Sequence, residues 1–115
     1  MSYSFSIILY DTKQDGWNNN FINIYKDNDL IVEKLTLSYN DLINNINSKE
    51  YTFEVANSFN NIIILYHNNG FYSYENYYEL YKNNNMIYVS DIGETPPLSV
   101  TINIENNETT KCMIF

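Results

Sequence analysis

The chain has 115 residues, a length that suits one domain with a single hydrophobic core. Its formal net charge is −8 and it contains no arginine. This balance argues against a nucleic-acid partner and against electrostatic docking on an anionic membrane, because both need a basic face. No apolar run is long enough to span a bilayer, and no signal peptide is recognisable at the N-terminus.

Alternating apolar and polar side chains predict most of the strands, and recurrent clusters of asparagine predict the loops between them. A continuous apolar run at residues 62–66 is typical of a strand buried on both faces. Asn40-Asp41 predicts one short helical turn through residues 42–46. In chain order the predicted strands are residues 3–10, 21–26, 30–37, 51–55, 62–66, 72–81, 86–90 and 98–104.

Seven to nine short strands with almost no helical periodicity predict an all-β fold. We expect an antiparallel β-sandwich, either jelly-roll-like or Ig-like. Residues 1–115 are predicted to form a single domain, with residues 106–115 as a polar C-terminal tail that ends in apolar residues.

The connection at residues 11–20, here called the Asp11 loop, packs two carboxylates and several amide oxygens into one tight turn. It holds the carboxylates of Asp11 and Asp15 and the amide of Asn18. Asp15-Gly16 is a strong turn signal, and the only tryptophan, Trp17, is predicted to be buried over the loop. Such a loop suits Ca²⁺, which takes many oxygen ligands in a flexible arrangement. The alternative is an Asx turn that holds no ion.

These residues also carry a resemblance to a known family. Residues 11–19 resemble the signature Asp-x-x-Gly-Asp-Gly-Trp-Asn-Gly of a β-sandwich module that occurs mainly in extracellular or surface proteins, with Gln14 and Asn19 in place of two glycines. Residues 70–75 match its later Gly-x-Tyr-x-x-Glu segment, and residues 77–90 match its closing hairpin. The resemblance covers roughly residues 7–90 and implies a non-catalytic module. It also implies that Glu75 lies beside the Asp11 loop, so the predicted calcium ligands are Asp11, Asp15, Asn18 and Glu75.

The sequence singles out no catalytic residue. His67 is the only histidine, and no nucleophile or orienting partner is evident, so we interpret it as a strand-end residue. One histidine and one cysteine argue against a zinc site. Glu75 and Glu79 are predicted on one face of a strand, about 13 Å apart, which is too far for a pair of glycosidase carboxylates. We therefore expect no enzymatic activity.

Tyrosines crowd the predicted strand at residues 72–81 and point to both of its faces. A sandwich buries only one face of each strand, so the tyrosines on the other face are expected to be exposed. Exposed aromatic residues predict a binding surface for protein or carbohydrate. The residues predicted for this surface are Tyr72, Tyr74, Tyr77, Tyr78 and Tyr81.

The last four residues match a C-a-a-X box ending in Phe115, the pattern for prenylation of Cys112 in a eukaryotic cell. The alternative is an apolar tail that packs on the domain or on a partner.

Together these patterns predict a non-catalytic structural or interaction subunit of a larger assembly, intracellular or virion-associated, with protein partners. A capsid-associated protein of a large AT-rich DNA virus fits the composition and the lack of a recognisable leader. The alternative, which the resemblance favours, is a calcium-dependent carbohydrate- or surface-binding module.

Overall fold

The computed structural model describes residues 2–13, 16–38, 48–56, 58–105 and 109–112. Within these ranges the chain forms nine strands and a single 3₁₀ turn at Ser73–Glu75. The strands are β1 (Ser2–Asp11), β2 (Phe21–Lys26), β3 (Asp29–Leu35), β4 (Ser48–Ala56), β5 (Asn61–His67), β6 (Asn76–Lys82), β7 (Asn85–Val89), β8 (Ser99–Asn103) and β9 (Thr109–Cys112). No helix in the described part of the chain is long and apolar enough to cross a membrane.

The strands form two sheets, with the orders β4-β1-β6-β7 and β3-β2-β5-β8-β9. Every described pair of neighbouring strands is antiparallel. The inner faces of both sheets contribute to one core, in which Trp17 is the largest fully buried side chain. A hydrogen bond joins the two sheets inside this core, where Asn76 Nδ2 donates to the Tyr66 hydroxyl at 2.8 Å. The predicted all-β antiparallel sandwich is confirmed.

The period-2 pattern of β1 decides which side chains enter the core. Phe5, Ile7 and Leu9 are buried, whereas the intervening residues Ser4, Ser6, Ile8 and Tyr10 face outward. Since β1 pairs with β4 on one side and β6 on the other, its outward residues lie in the middle of the four-stranded sheet.

Three structural details differ from the sequence predictions. The predicted strand at residues 72–81 begins only at Asn76, because Tyr72 adopts a left-handed conformation (φ 58°, ψ 36°). Glu75 N–H then donates to Tyr72 O at 3.0 Å and closes the 3₁₀ turn.

The β5 strand is buried on one face only. Ile62, Ile64 and Tyr66 enter the core, but Ile63 and Leu65 stay partly exposed, because the described residues do not fully cover the outer face of the five-stranded sheet. The expectation that this strand is buried on both faces is therefore wrong.

The predicted C-terminal tail contains a strand. Thr109–Cys112 forms β9 and pairs with β8, with Ile102 opposite Thr109 and Ser99 opposite Cys112. Strand pairing uses backbone groups, and threonine suits an exposed position on a pleated edge. The helical turn predicted at residues 40–46 lies outside the described residues.

Candidate functional site

The structure brings together two of the four predicted calcium ligands. Asp11 ends β1 and Glu75 precedes β6, and each is only 6% exposed. Thr12 N–H donates to Glu75 O at 2.9 Å, so the two segments are adjacent, as the family resemblance implied. The Asp11 carboxylate accepts the Lys13 N–H at 3.0 Å, which is an Asx-type local contact.

Of the two other predicted ligands, Asn18 lies within the described residues. Asn18 has a left-handed backbone (φ 54°), and its Nδ2 donates to Gly16 O at 3.2 Å. Asp15 lies outside the described residues. Within the described residues, no group of three or more His, Cys, Asp or Glu side chains could hold a metal ion. Calcium binding stays a prediction.

Trp17 fastens the Asp11 loop to the core. Its side chain is fully buried, its Nε1 donates to Tyr10 O at 2.8 Å, and its ring contacts the Tyr66 ring edge-on at 5.9 Å. The predicted burial of Trp17 is confirmed.

Asn20 also anchors the Asp11 loop through hydrogen bonds, and this role was not predicted from the sequence. Its side chain is fully buried, with Oδ1 accepting Gly70 N–H at 2.8 Å and Nδ2 donating to Phe71 O at 3.2 Å. Thr36 Oγ1 donates to Asn20 O at 2.6 Å. One asparagine therefore joins the Asp11 loop to the connection between β5 and β6. Its position within an Asn-Asn-Asn run gave no signal that separates it from its neighbours.

The five tyrosines predicted as one binding surface lie in three places. Tyr78 is fully buried on the inner face of β6, so its inclusion in an exposed surface is wrong. Tyr77 and Tyr81 lie four residues apart on the outer face of the same strand. Tyr72 and Tyr74 are 54% and 50% exposed and lie in the connection before β6.

An open groove of about 400 Å³, here called the sheet groove, crosses the outer face of the four-stranded sheet. It runs over β4, β1 and β6, which the register places side by side: Ser6 pairs with Thr52 and with Tyr81. Its lining consists of Ser4, Phe5, Ser6, Ile8, Glu50, Thr52, Tyr81 and Asn84. The groove was not predicted from the sequence, although Ser4 and Ser6 on the outward face of β1 were a usable signal.

Two glutamates on this face are held by hydroxyl groups. Glu79 Oε1 accepts the Tyr10 hydroxyl at 2.8 Å and the Tyr81 hydroxyl at 3.2 Å. Glu50 Oε2 accepts the Ser6 hydroxyl at 2.6 Å. An ionised carboxylate offers about four lone-pair sites, so both groups keep capacity for further donors.

The tyrosine hydroxyls of this face remain donors at physiological pH. Partial desolvation, the hydrogen bond to Glu79 and the charge of that carboxylate raise the pKa of Tyr10 and of Tyr81 above the usual value. The Tyr10 ring also stacks on the Tyr77 ring, with centroids 4.7 Å apart and planes 10° from parallel. The outer face therefore carries fixed rings, fixed hydroxyl donors and fixed carboxylate acceptors.

His67, Glu75 and Glu79 are the residues that the sequence analysis weighed for catalysis. His67 ends β5, stacks on Phe21 at 4.5 Å and lies 3.2 Å from Asn23 Nδ2 through its Nε2, as a strand-end histidine would. Glu75 is buried in the 3₁₀ turn while Glu79 faces outward, so the prediction that they share one strand face is wrong.

The predicted prenylation motif lies only partly in the described chain. Cys112 is the last residue of β9, and residues 113–115 lie outside the described residues. Prenylation of Cys112 stays a prediction.

Comparison with known proteins identifies no relative. A scan against models of known protein families, a search of curated proteins and a search of solved structures each returned no match to this chain. The resemblance to the Asp-x-x-Gly-Asp-Gly-Trp-Asn type module therefore also stays a prediction.

Proposed function

We propose that the protein is a non-catalytic binding module that takes a short neutral carbohydrate in the sheet groove. The observation that carries the proposal is the pair of glutamates, Glu50 and Glu79, each fixed by protein hydroxyls beside the tyrosine rings of the same face. A saccharide offers many hydroxyl donors, which suit carboxylate acceptors, and C–H faces, which pack on aromatic rings. The groove volume of about 400 Å³ falls within the usual range for small-ligand sites.

The rigidity of this face favours binding. Glu50 and Glu79 project from strands and are already held in place, so a ligand would not have to order them. Less conformational entropy is then lost on association, which leaves more of the contact energy as affinity.

The charge of the protein selects the ligand class. The Glu50 carboxylate lines the groove, Glu79 accepts a hydrogen bond from the groove residue Tyr81, and the chain has a formal charge of −8, so phosphorylated, sulfated and uronic-acid sugars would be repelled. Neutral saccharides carry no such penalty.

The test is a titration of ¹⁵N-labelled protein with neutral oligosaccharides of glucose, mannose, xylose and N-acetylglucosamine, followed by NMR. We expect at least one to shift the amides of Ser6, Ile8 and Thr52, and Glu50→Gln or Tyr81→Ala to weaken binding by about tenfold or more, or about 1.4 kcal/mol. Glu94→Gln removes the same charge from an exposed position outside the groove and is the matched control. No shifts with any of the four sugars, or shifts confined to other surfaces, would contradict the proposal.

A second candidate, an interaction subunit of a larger assembly such as a capsid, rests on a different observation. Three aromatic residues, here called the aromatic loop, are unusually exposed: Phe71 at 75%, Tyr72 at 54% and Tyr74 at 50%. Their rings are contiguous, with centroids 6.4 Å and 6.3 Å apart. Exposed aromatic clusters are typical of protein interfaces. Co-purification of a protein partner from the native source that Phe71→Ser abolishes, while Glu50→Gln does not, would favour this candidate.

Calcium binding is a separate proposal for the Asp11 loop. It is supported by two buried acidic residues, Asp11 and Glu75, that belong to adjacent backbone segments. An ion that binds only the folded state stabilises it by mass action. Thermal melts with calcium and with a chelator should then differ by several degrees, and Asp15→Ala should remove the difference while Asp91→Ala does not. Identical melts of the unaltered protein under both conditions would reject the ion.

A further inference from the structure

We propose that Asn69 is a deamidation site and that the buried side chain of Asn20 controls its reactivity. Asn69-Gly70 is the only Asn-Gly pair in the sequence. Asparagine followed by glycine is the most reactive context for this chemistry, because glycine leaves the attacking backbone nitrogen unhindered and conformationally free. Asn69 is exposed, so burial of its own amide does not protect it.

The reaction needs only water. The Gly70 backbone nitrogen attacks Asn69 Cγ and forms a new N–C bond, while its proton passes to solvent. The bond between Cγ and Nδ2 then breaks, and the amide nitrogen leaves as ammonia. Water opens the resulting succinimide and gives either aspartate or isoaspartate, with no change of oxidation state.

The structure shows the attacking nitrogen engaged elsewhere. Gly70 N–H donates to Asn20 Oδ1 at 2.8 Å, and Asn20 itself is fully buried. Asn20 Nδ2 donates to Phe71 O at 3.2 Å, so the same side chain holds the residue after Gly70 as well. While both bonds persist, the Gly70 amide cannot turn toward Asn69 Cγ. The reaction therefore proceeds only when this connection opens locally.

Packing also explains why the reactive pair cannot be removed by a larger residue at position 70. A Cβ atom on Gly70 would lie 1.5 Å from the Asn18 carbonyl oxygen. Glycine is thus required by a close approach of two backbone segments. Deamidation adds a negative charge two residues before Phe71 of the aromatic loop, and an isoaspartate also adds a methylene to the backbone there. The modification would alter both the charge and the geometry with which Phe71 is presented.

The experiment compares deamidation with amide hydrogen exchange. The native protein and the same protein unfolded in guanidinium chloride are incubated at mildly alkaline pH, and conversion of Asn69 is measured by peptide mapping. We expect the native state to react more slowly by about tenfold or more, and by the same factor that protects the Gly70 amide from exchange. Asn20→Ala should raise the native rate toward the unfolded one. Thr36→Val removes a different hydrogen bond to Asn20 and should leave the rate unchanged.

Equal rates in the native and unfolded states would overturn the proposal, as would a folded Asn20→Ala variant that reacts no faster than the original protein. If Asn20→Ala does not fold, the test rests on the unaltered protein, whose slowing of deamidation is compared with the protection of its Gly70 amide. Slow deamidation combined with an unprotected Gly70 amide would show that something other than the Asn20 bond restrains Asn69, and would overturn the proposal. Equal factors for the slowing of deamidation and for the exchange protection of Gly70 would support control by Asn20.

Discussion

At the scale of single residues, two glycines serve different purposes. Gly70 lies where a side chain would collide with the backbone of Asn18, but its backbone conformation is not left-handed. Gly93 has open space around it, since a Cβ there would meet no atom within 4 Å beyond its own chain neighbours, but its φ is +86°. The first glycine is required by packing and the second by its dihedral angle.

We predict that Gly70→Ala destabilises the fold by more than about 2 kcal/mol, because a backbone carbonyl must move to admit the methyl group. Gly93→Ala should cost about 1 kcal/mol, the usual penalty for a left-handed alanine. Free energies of unfolding from guanidinium titrations measure both. Equal losses in the two variants would mean that the contact between Gly70 and Asn18 is looser than the structure indicates.

Buried tyrosine hydroxyls provide a second contrast. Within the described residues the Tyr78 hydroxyl is buried with no hydrogen-bond partner, whereas the Tyr66 hydroxyl accepts Asn76 Nδ2 at 2.8 Å. A buried polar group without a partner destabilises the folded state, because it loses its hydrogen bonds to water, so removing the group raises the free energy of unfolding. Tyr78→Phe should therefore stabilise the protein by about 1 kcal/mol, and Tyr66→Phe should destabilise it by a similar amount. Thermal melts of the two variants check this, and a loss of stability in Tyr78→Phe would reveal an internal water or other partner for that hydroxyl.

At the scale of elements, the hairpin of β6 and β7 is closed by Asn83 and Asn84, both with positive φ (49° and 68°). Two consecutive positive φ values in a two-residue loop are the pattern of a type I′ turn, which matches the twist of the strands. Asn83 also fastens the turn to β1, since its N–H donates to Ser4 O at 2.7 Å and its Oδ1 accepts Ser4 N–H at 3.0 Å.

Because glycine adopts positive φ without strain, Asn84→Gly should stabilise the hairpin by about 0.5 kcal/mol. Asn84→Val should destabilise it by about 1 kcal/mol or more, since a β-branched residue resists that conformation. The midpoints of chemical unfolding measure both changes. If the Asn84→Gly and Asn84→Val variants were equally stable, the type I′ turn would be excluded.

The elements also show what the sequence could and could not predict. Strands such as β1 and β2 were predictable because one face is buried and the alternation is regular. The turn at Tyr72 was not, because its left-handed residue carries no glycine or asparagine signal. Strand β9 was missed because its exposed residues are polar, and its pairing with β8 depends on backbone groups alone.

The candidate site was less predictable than the fold. Tyrosines occupy both faces of β6, so their pattern did not tell which would enter the core; Tyr78 does, while Tyr77 and Tyr81 do not. The sheet groove combines β1 with β4 and β6, and that register depends on pairing between distant parts of the chain. The Asp11 loop, in contrast, was visible as a local cluster, and the adjacency of Glu75 followed from the resemblance.

At the scale of the whole molecule, the buried tyrosines predict how stability depends on pH. Burial raises the pKa of Tyr66 from 10.0 to about 12, although its hydrogen bond to Asn76 acts in the opposite direction. Burial and the charge of Asp91 raise the pKa of Tyr88 to about 12 as well. In both cases the folded state keeps a proton that the unfolded state loses above the ordinary pKa.

The contribution of these protons is complete below about pH 10 and is lost as the pH rises toward about 12. Tyr66 alone should reduce the free energy of unfolding by about 1.4 kcal/mol for each pH unit in that window. Tyr88 should lower the free energy of unfolding by less than Tyr66 does, because solvent screens its hydroxyl more. Unfolding titrations in steps from pH 8 to about pH 11.5 measure the slope, and Tyr88→Phe should make it shallower. Constant stability across this window would show that these hydroxyls ionise as easily in the folded protein as in the unfolded one.

The central place of β1 in its sheet has a consequence for synthesis on the ribosome. Its two neighbours begin only at Ser48 and Asn76, so an apolar strand emerges long before either partner can hydrogen-bond to it. Such topologies fold slowly and expose unpaired edges in the meantime. A nascent chain stalled before β6 has emerged should therefore bind chaperones through β1, and crosslinking should show that contact disappear once residues up to Lys82 are free of the exit tunnel.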